Sequence, residues 1–379
     1  MEAGKKVAVL EKGQCGWGAT GATTAFITQV LDTDLQDLIP TYGEANAKLI
    51  IESHGQAIDL IESIVKKETI DCEFNRTSNY YYANTESDFS DLGAENQAAQ
   101  QLGLETTLSH DGSILSFNNT GYLEIRNQAK FHPLKFLVRL SELIVERGGL
   151  IFEHTEALKI TEELRSVTTA NGTVRATDIV AATYEPFHQP LRLFFKKGMY
   201  ESFVATLKMP KGVIPEAMYE DSNNPYHYFR VDRYDDHDRV IIGGEDHRQD
   251  LPVSDDKSFE SLLKYAHNVF NHSKYEVVTK WKGQILESID GLAYIGKWGH
   301  EHTYYAFAFS GTGMTYAAIS AMIIPDLILG RTNPYTELYR VDRLPGIKAL
   351  IIKGRDYFGE LLGGVVKNTF TTTKNDNNK

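Results

Sequence analysis

The sequence predicts an α/β fold in which one domain is assembled from separated segments of the chain and a second, antiparallel and β-rich (α+β), is inserted into it. Three observations predict this. Strand–helix alternation occupies both ends of the chain, an antiparallel strand pattern fills the middle, and 379 residues are enough for two domains with cores of ordinary size.

Composition narrows the function before any motif is read. The hydrophobic share is 42% and the charged share 24%, both normal for a globular protein. A formal net charge of −12 argues against a nucleic-acid partner, because no basic stripe is available to neutralise phosphates. The two cysteines, Cys15 and Cys72, exclude a disulfide framework, a four-cysteine zinc site and an ordinary iron–sulfur cluster, so no metal is expected. Two reduced thiols suit the cytoplasm. The opening MEAGKKVAVLEKG is no signal peptide, since its apolar stretch is only Val7 to Leu10. The weakly charged stretch Tyr304 to Pro325 is interrupted by Ser310, Gly311, Gly313 and Thr315, whereas a membrane span needs about 20 predominantly apolar residues.

The elements follow in order. Val7 to Leu10 is a short apolar run that reads as a buried parallel strand. A glycine- and threonine-rich stretch, Gly13 to Thr24, comes next. Thr41 to Lys67 places Ala45, Leu49, Ile50, Ala57, Ile61, Ile64 and Val65 at helical spacing, with Thr41 as N-cap and Glu44 after it. Asn79 to Ala83 is aromatic and strand-like, Asp88 to Leu102 helical, and Tyr122 to Ile125 a further strand. Pro133 to Arg147 is a helix that opens on proline and ends at Gly148-Gly149. Leu150 to Ala182 is β-rich, with an Asn171-Gly172 hairpin signal and a closing apolar strand at Ile179 to Thr183. Tyr200 to Met209, Tyr226 to Val231 and Arg239 to Gly243 read as antiparallel strands. Asp255 to His272 reads as a helix, Tyr275 to Gly283 and Thr303 to Phe309 as strands, and Thr315 to Leu329 as a buried helix.

Two constellations carry chemistry. Glu11 ends the first apolar strand. In a dinucleotide-binding fold an acid at that place holds the adenosine ribose, about 20 residues after a G-x-G-x-x-G loop. Only ten residues precede Glu11, so that opening strand and loop are expected to be missing from the sequence. The stretch GQCGWGATGATT offers glycines that let backbone approach a phosphate, or alternatively forms a plain surface turn. The second constellation is DGLAYIG at 290–296, then YYAFAF and SGTGMTYAAISAMI. Strand, tight turn and helix start would aim the N–H groups of Gly311 to Met314 at an acceptor, or would simply pack a buried strand on a buried helix.

Taken together, VAVLEKG…GATGATTAFIT, RNQAKFHPLKFL, NGTVRATDIVAAT, VIIGGEDHR and DGLAYIG…FAFSGTGMTYAAISAMI resemble the FAD-dependent oxidoreductase family of D-amino-acid oxidase, glycine oxidase and sarcosine oxidase. The segments occur in family order over nearly the whole chain, and the last is the most specific. They look most like a subfamily that often carries a C-terminal Rieske domain. No such domain is expected here, since both cysteines lie far upstream.

The resemblance implies a doubly wound, Rossmann-like FAD-binding domain at 1–75, 130–185 and 280–345. It implies a substrate domain at 76–129 and 186–279, and an extension at 346–379 whose last residues are disordered. Glu11 would bind the ribose and Lys12 would flank the adenine. Gly18, Ala19, Thr20, Gly21, Thr23 and Thr24 would line pyrophosphate and flavin. Ala157 and Leu158 would offer backbone to the adenine, and Ala182 and Thr183 would close over the nucleotide. Gly291 and the run Gly311, Thr312, Gly313, Met314 and Thr315 would hold the isoalloxazine and ribityl chain. FAD would be non-covalent, since no cysteine stands where some relatives attach it.

On the substrate side, Arg230 is a candidate carboxylate anchor, because its fork matches two oxygens. His132 would either approach the flavin or cap the Pro133 helix. Trp281 would pack beside the ring or in a core, and His247 reads as a loop histidine. Tyr80, Tyr81 and Tyr82 alternate across a strand, so one face could line a pocket. The expected function is FAD-dependent oxidation of a small-molecule amine or amino-acid-like substrate by hydride transfer to flavin. The electron acceptor is left open. The alternative is a truncated, non-catalytic remnant with weak or no FAD binding.

Overall fold

The computed structural model describes residues 1–184, 199–222, 225–249, 251, 253–270, 274–288, 290–298 and 302–343. The expected disordered tail lies outside the described residues.

The chain opens on β1 (Ala8–Leu10), a four-residue helix α1 (Ala19–Ala22) and β2 (Phe26–Ile27). Next come α2 (Leu35–Tyr42) and α3 (Glu44–Lys67). The sequence reading ran these helices together from Thr41. Gly43 separates them at φ +78°, and it caps α3 without a side-chain bond, so Thr41 lies in α2 and caps nothing. Then β3 (Asn75–Ala83) leads to α4 (Glu86–Gln101), β4 (Thr106–Ser109) and β5 (Gly121–Lys130). A capping box of Thr85 and Asp88 starts α4. Helix α5 (Pro133–Glu146) begins as expected on Pro133, with His132 as its cap.

Five short strands follow, β6 (Leu150–Phe152), β7 (Lys159–Thr161), β8 (Ser166–Thr169), β9 (Gly172–Arg175) and β10 (Ile179–Ala181). The Asn171-Gly172 signal does turn β8 into β9. The second half holds β11 (Met199–Met209), β12 (Met218–Asp221), β13 (His227–Arg233), β14 (Asp238–Arg248), α6 (Asp255–Val269) and β15 (Glu276–Leu286). It closes with β16 (Tyr294–Lys297), β17 (Thr303–Phe307), α7 (Gly313–Ile328) and α8 (Thr336–Tyr339).

Among the described residues the strands form four sheets. β1 pairs in parallel with β6, and β10 in parallel with β17, which also holds β16. These are the doubly wound elements that the two chain ends predict. Lys5 Nζ, just before β1, reaches Asp178 Oδ2 just before β10 at 3.1 Å. The large sheet runs β15-β11-β14-β13-β12-β3-β5-β2, with β4 also on β5. Every pairing in it is antiparallel except β12 with β3.

The two faces of that sheet differ, and the difference positions the site. Strand alternation puts Tyr82, Phe203, Tyr219, Phe229, Val231 and Ile242 on one side, packed with Leu262 and Ala266 of α6 and with Phe270, its C-cap. The opposite side carries Asn79, Lys130, Glu220, Arg230 and Asp232, all nearly closed to water. It looks toward a second core made by Leu35, Ile50, Ile58, Leu92, Ile319 and Ile323 of the helices, with Leu123 and Ile125 of β5. Buried polar groups need partners, so this inner face has to be a network.

Candidate functional site

Glu11 follows β1 and is tied in by its backbone, which bonds to Phe152 and Thr155. Its Oε1 accepts from Gly13 N at 2.7 Å, so the carboxylate caps its own loop. Lys12 is exposed and pairs with Glu156 at 2.9 Å. Cys15 N donates to Glu153 Oε1 at 2.7 Å, which binds the glycine stretch to the segment that leads to Ala157 and Leu158. Leu158 N donates to Thr168 O at 2.8 Å.

Gly18 caps α1, and Gly21 N returns to Gly18 O at 3.0 Å. A Cβ at Gly21 would lie 2.2 Å from Gly16 O, so only glycine allows this close turn. Thr23 Oγ1 accepts from Ala25 N at 3.1 Å, and Thr24 is buried. Trp281 Nε1 donates to Ala22 O at 2.8 Å, which holds α1 against β15.

The second constellation folds as a turn between β17 and α7. Ala308 and Ser310 both take positive φ, +58° and +49°, a conformation that costs non-glycine residues free energy and concentrates at functional sites. Ser310 N reaches Leu286 O at 3.2 Å. Gly311 N donates to Asp32 Oδ2 at 2.7 Å, so one of the amides expected to face a ligand faces a carboxylate instead. The first-turn amides of α7, Gly313 to Thr315, have no intrahelical acceptor. Thr312 Oγ1 and Thr315 Oγ1 are buried and lack a hydrogen-bond partner among the described residues. Gly291 O accepts from Tyr316 OH at 3.3 Å, which brings the Asp290-Gly291 turn onto α7.

One unbroken run of chain, Glu11 to Asp32, therefore joins the strand-end acid to the C-terminal turn. Trp281 meets the Gly18–Thr24 stretch through Ala22, Gly311 meets Asp32, and Gly291 meets α7 through Tyr316. The contacts of Glu11 are with Gly13, Phe152 and Thr155. Ala182 and Thr183 are exposed just beyond β10. The structure sets two other candidates apart. His132 is the N-cap of α5, its Nδ1 accepting from Lys135 N at 3.4 Å, and burial lowers its pKa. Arg230 is 2% exposed. Its fork donates to Ala25 O and Phe131 O at 3.0 and 2.9 Å and pairs with Asp232 at 3.3 Å. A guanidinium so committed ties β2 and β5 to β13 and does not reach for a carboxylate substrate. His247 sits half-buried on β14 beside Phe203, not in a loop.

What the sequence reading missed is the inner face of the large sheet. Register sets Glu220 beside Tyr81 on β3 and Tyr228 on β13. Asn79 Nδ2 and Tyr226 OH donate to the two oxygens of Glu220, each at 2.5 Å. Burial raises the Glu220 carboxyl above its usual range. Tyr228 lies over Gly243, where a Cβ would come within 2.3 Å of the ring. Its hydroxyl is 3.2 Å from Ser202 Oγ. Asp246 is pushed up to about 7 by burial, with Asp32 and Glu287 adding negative charge and Ser202 opposing. The alternation of Tyr80, Tyr81 and Tyr82 was the one available signal, and Tyr81 is the ring on this face.

Comparison with known proteins fits this arrangement. The model of the family described as FAD dependent oxidoreductase matches residues 1–327. The chain belongs to that family. Its members are FAD flavoproteins, and their oxidoreductases act on CH–NH groups of amino acids and amines. The putative Rieske 2Fe-2S iron-sulfur protein YhfW of Bacillus subtilis is 30% identical over 370 residues, 95% of this chain and 72% of that protein. The gamma-glutamylputrescine oxidoreductase of Escherichia coli is 21% identical over 360 residues, 91% of this chain and 83% of that protein. Among solved structures, glycine oxidase from Geobacillus kaustophilus aligns at a TM-score of 0.76 and 17% identity. It covers 91% of this chain and 94% of that one. Among the described residues no helix is long and apolar enough to cross a membrane.

Proposed function

We propose that this chain binds FAD non-covalently and oxidises an amine or amino-acid-like substrate at the C–H beside its nitrogen. The observation that carries the reading is the turn at 310–315. Two buried threonine hydroxyls without partners among the described residues and the open amides of α7 meet there, and a continuous segment leads from it to an acid at the end of a parallel strand. Such donors and acceptors suit a flavin dinucleotide.

Glu11 would hold ribose hydroxyls, and Lys12, Ala157 and Leu158 would border the adenine. Gly18 to Gly21 with Thr23 and Thr24 would approach the pyrophosphate, and Ala182 and Thr183 would cover the nucleotide. Gly291 and Gly311 to Thr315 would take the ring and ribityl chain, with Trp281 holding α1 beneath them. In this assignment 1–75, 130–185 and 280–345 form the cofactor domain, and 76–129 and 186–279 the substrate domain. A cytoplasmic location belongs to the same proposal.

FAD, when bound, supplies the two-electron acceptor that no side chain here could supply. The protein's part is to orient the substrate carbon and exclude water. The amides of α7 place positive dipole where the reduced cofactor would carry negative charge.

A second reading, weak cofactor binding, is favoured by one observation. Among the described residues, β1 has no strand opposite β6 and β10 has none opposite β17. Apolar side chains of β6 and β10, among them Leu150, Phe152 and Val180, are exposed. Anaerobic mixing of the FAD-loaded chain with small amines and amino acids separates the two. Bleaching of the flavin band by any of them supports the first reading. A chain that takes up no flavin supports the second.

A further inference from the structure

The inner face of the large sheet presents a polar row beside the proposed flavin ring, and its chemistry is specific. Among the described residues Asn79, which has no exposed surface, leaves Oδ1 without a hydrogen-bond partner, and Asp246 Oδ1 is likewise buried and unpartnered. Both are acceptors, Asp246 when ionised, and the buried donor beside them that lacks a partner among the same residues, Arg230 Nε, belongs to a guanidinium already paired with Asp232. Contacts run continuously from Asn79 to Glu220, to Tyr226, then ring to ring at 5.5 Å to Tyr228, and on to Ser202. Phe26 meets Tyr228 edge-on at 5.5 Å. Asp32, bonded to Gly311 of the turn, adds its charge to the carboxyls of Glu220 and Asp246.

Cationic groups near this row already have partners. His227 lies between Asp221 and Glu245 at 3.4 and 3.1 Å. Arg230, the fork that would have gripped a carboxylate, bonds to Ala25, Phe131 and Asp232. A substrate carboxylate placed here would meet Glu220, Asp246 and Asp32, and like charges in a buried site repel strongly. An ammonium would face these carboxyls and the electron-rich rings beside them.

We infer that the substrate is an amine that carries a second cationic group and no carboxylate beside the carbon that is oxidised. Asp32, Tyr81, Glu220, Tyr226, Tyr228 and Asp246 form the surface that receives the second cation. The inference rests on the oxidase reading and narrows its substrate class. The nitrogen at the reacting carbon has to be neutral for hydride loss, so the acidic row acts on the distant charge. Discrimination comes from leaving buried acceptors unmet when the cation is absent.

The test uses the full chain loaded with FAD and two probes, 1,4-diaminobutane and sarcosine. Calorimetry reads binding, and anaerobic bleaching reads turnover. The diamine should bind at least tenfold more tightly than sarcosine and bleach the flavin at lower concentration. Glu220→Gln and Asp246→Asn should each weaken diamine binding about tenfold, with flavin content unchanged. Tighter binding of sarcosine, or diamine binding unmoved by both variants, overturns the inference. Diamine binding that depends on Glu220 without bleaching by any amine leaves the cation site standing and removes the oxidase reading instead.

Discussion

Arg343→Met removes the cation from an ion pair that the fold has almost closed to water. Arg343 is 8% exposed and Asp290 5%. Arg343 Nε and one terminal nitrogen donate to the two Asp290 oxygens at 2.7 and 2.8 Å. The same guanidinium donates to Leu292 O at 2.6 Å and Ala293 O at 2.8 Å, and lies 3.8 Å over the Tyr294 ring. Methionine fills similar space but leaves Asp290 buried with, among the described residues, Ser288 Oγ at 3.2 Å and Leu292 N at 3.3 Å as its remaining donors. Breaking a buried pair by removing one partner costs about 3–5 kcal/mol, and those two long bonds offset little. The expected loss is about 3 kcal/mol, read as the shift of the urea midpoint at constant slope. Adding Asp290→Asn should restore part of it, because the uncompensated charge is then gone. Gly291 follows Asp290, so FAD affinity should fall in the single variant as well. A loss below about 1 kcal/mol, or strict additivity in the double variant, refutes the reasoning.

Other predictions concern the sheet and its helices. Burial opposes a charge on His227, but the carboxylates of Asp221 and Glu245 win and lift its pKa to about 9. Above the ordinary value near 6.5, that is worth on the order of 3 kcal/mol. It is present in full below about pH 6.5 and lost as pH rises through about 9. Urea midpoints across that window should fall in the natural chain and stay flatter in His227→Gln; equal slopes would count against the ion pair. Gly243→Ala should cost about 1–3 kcal/mol by forcing the Tyr228 ring aside, and little in a Tyr228→Ala background. A cost that persists in that background would show that the ring is not the obstacle. Thr85→Ala removes the capping box of α4, whose two bonds measure 3.2 and 2.9 Å. It should cost about 1 kcal/mol, checked by thermal melting.

Much of the frame was legible in the sequence because local chemistry determines it. Pro133 and the Gly148-Gly149 pair mark the helix α5 within a residue of its observed end, since proline suits a first turn and glycine stops a helix. The apolar runs Val7 to Leu10 and Ile179 to Thr183 located the parallel strands. But β1 is not the buried strand expected, since Ala8 is exposed and Val9 and Leu10 only half-buried, and β10 alternates, with Val180 exposed between buried Ile179 and Ala181. Gly43 was overlooked because a single glycine inside a periodic pattern is often tolerated, and only its positive φ ends α2. β2, with two residues, is too short to show any period.

The site was legible where it is local and hidden where it is not. The 310–315 turn could be read from glycines between an apolar strand and an apolar helix. The acidic row could not. Asn79 and Glu220 are 141 residues apart in sequence and meet only through the parallel register of β12 on β3, which no local pattern specifies. Arg230 shows the same limit from the other side. Its residue type suggested a ligand, and the strand register gave it backbone carbonyls.

The most direct measurement is FAD affinity, by fluorescence titration, of the natural chain and of the double variant Thr312→Val, Thr315→Val. Valine keeps the shape and removes two buried hydroxyls that have no partner among the described residues, so folding should be unharmed. Two lost hydrogen bonds of about 1 kcal/mol each should weaken FAD binding by at least about tenfold. Equal affinity in the two proteins, or no FAD bound by either, would contradict the assignment of this turn to the flavin.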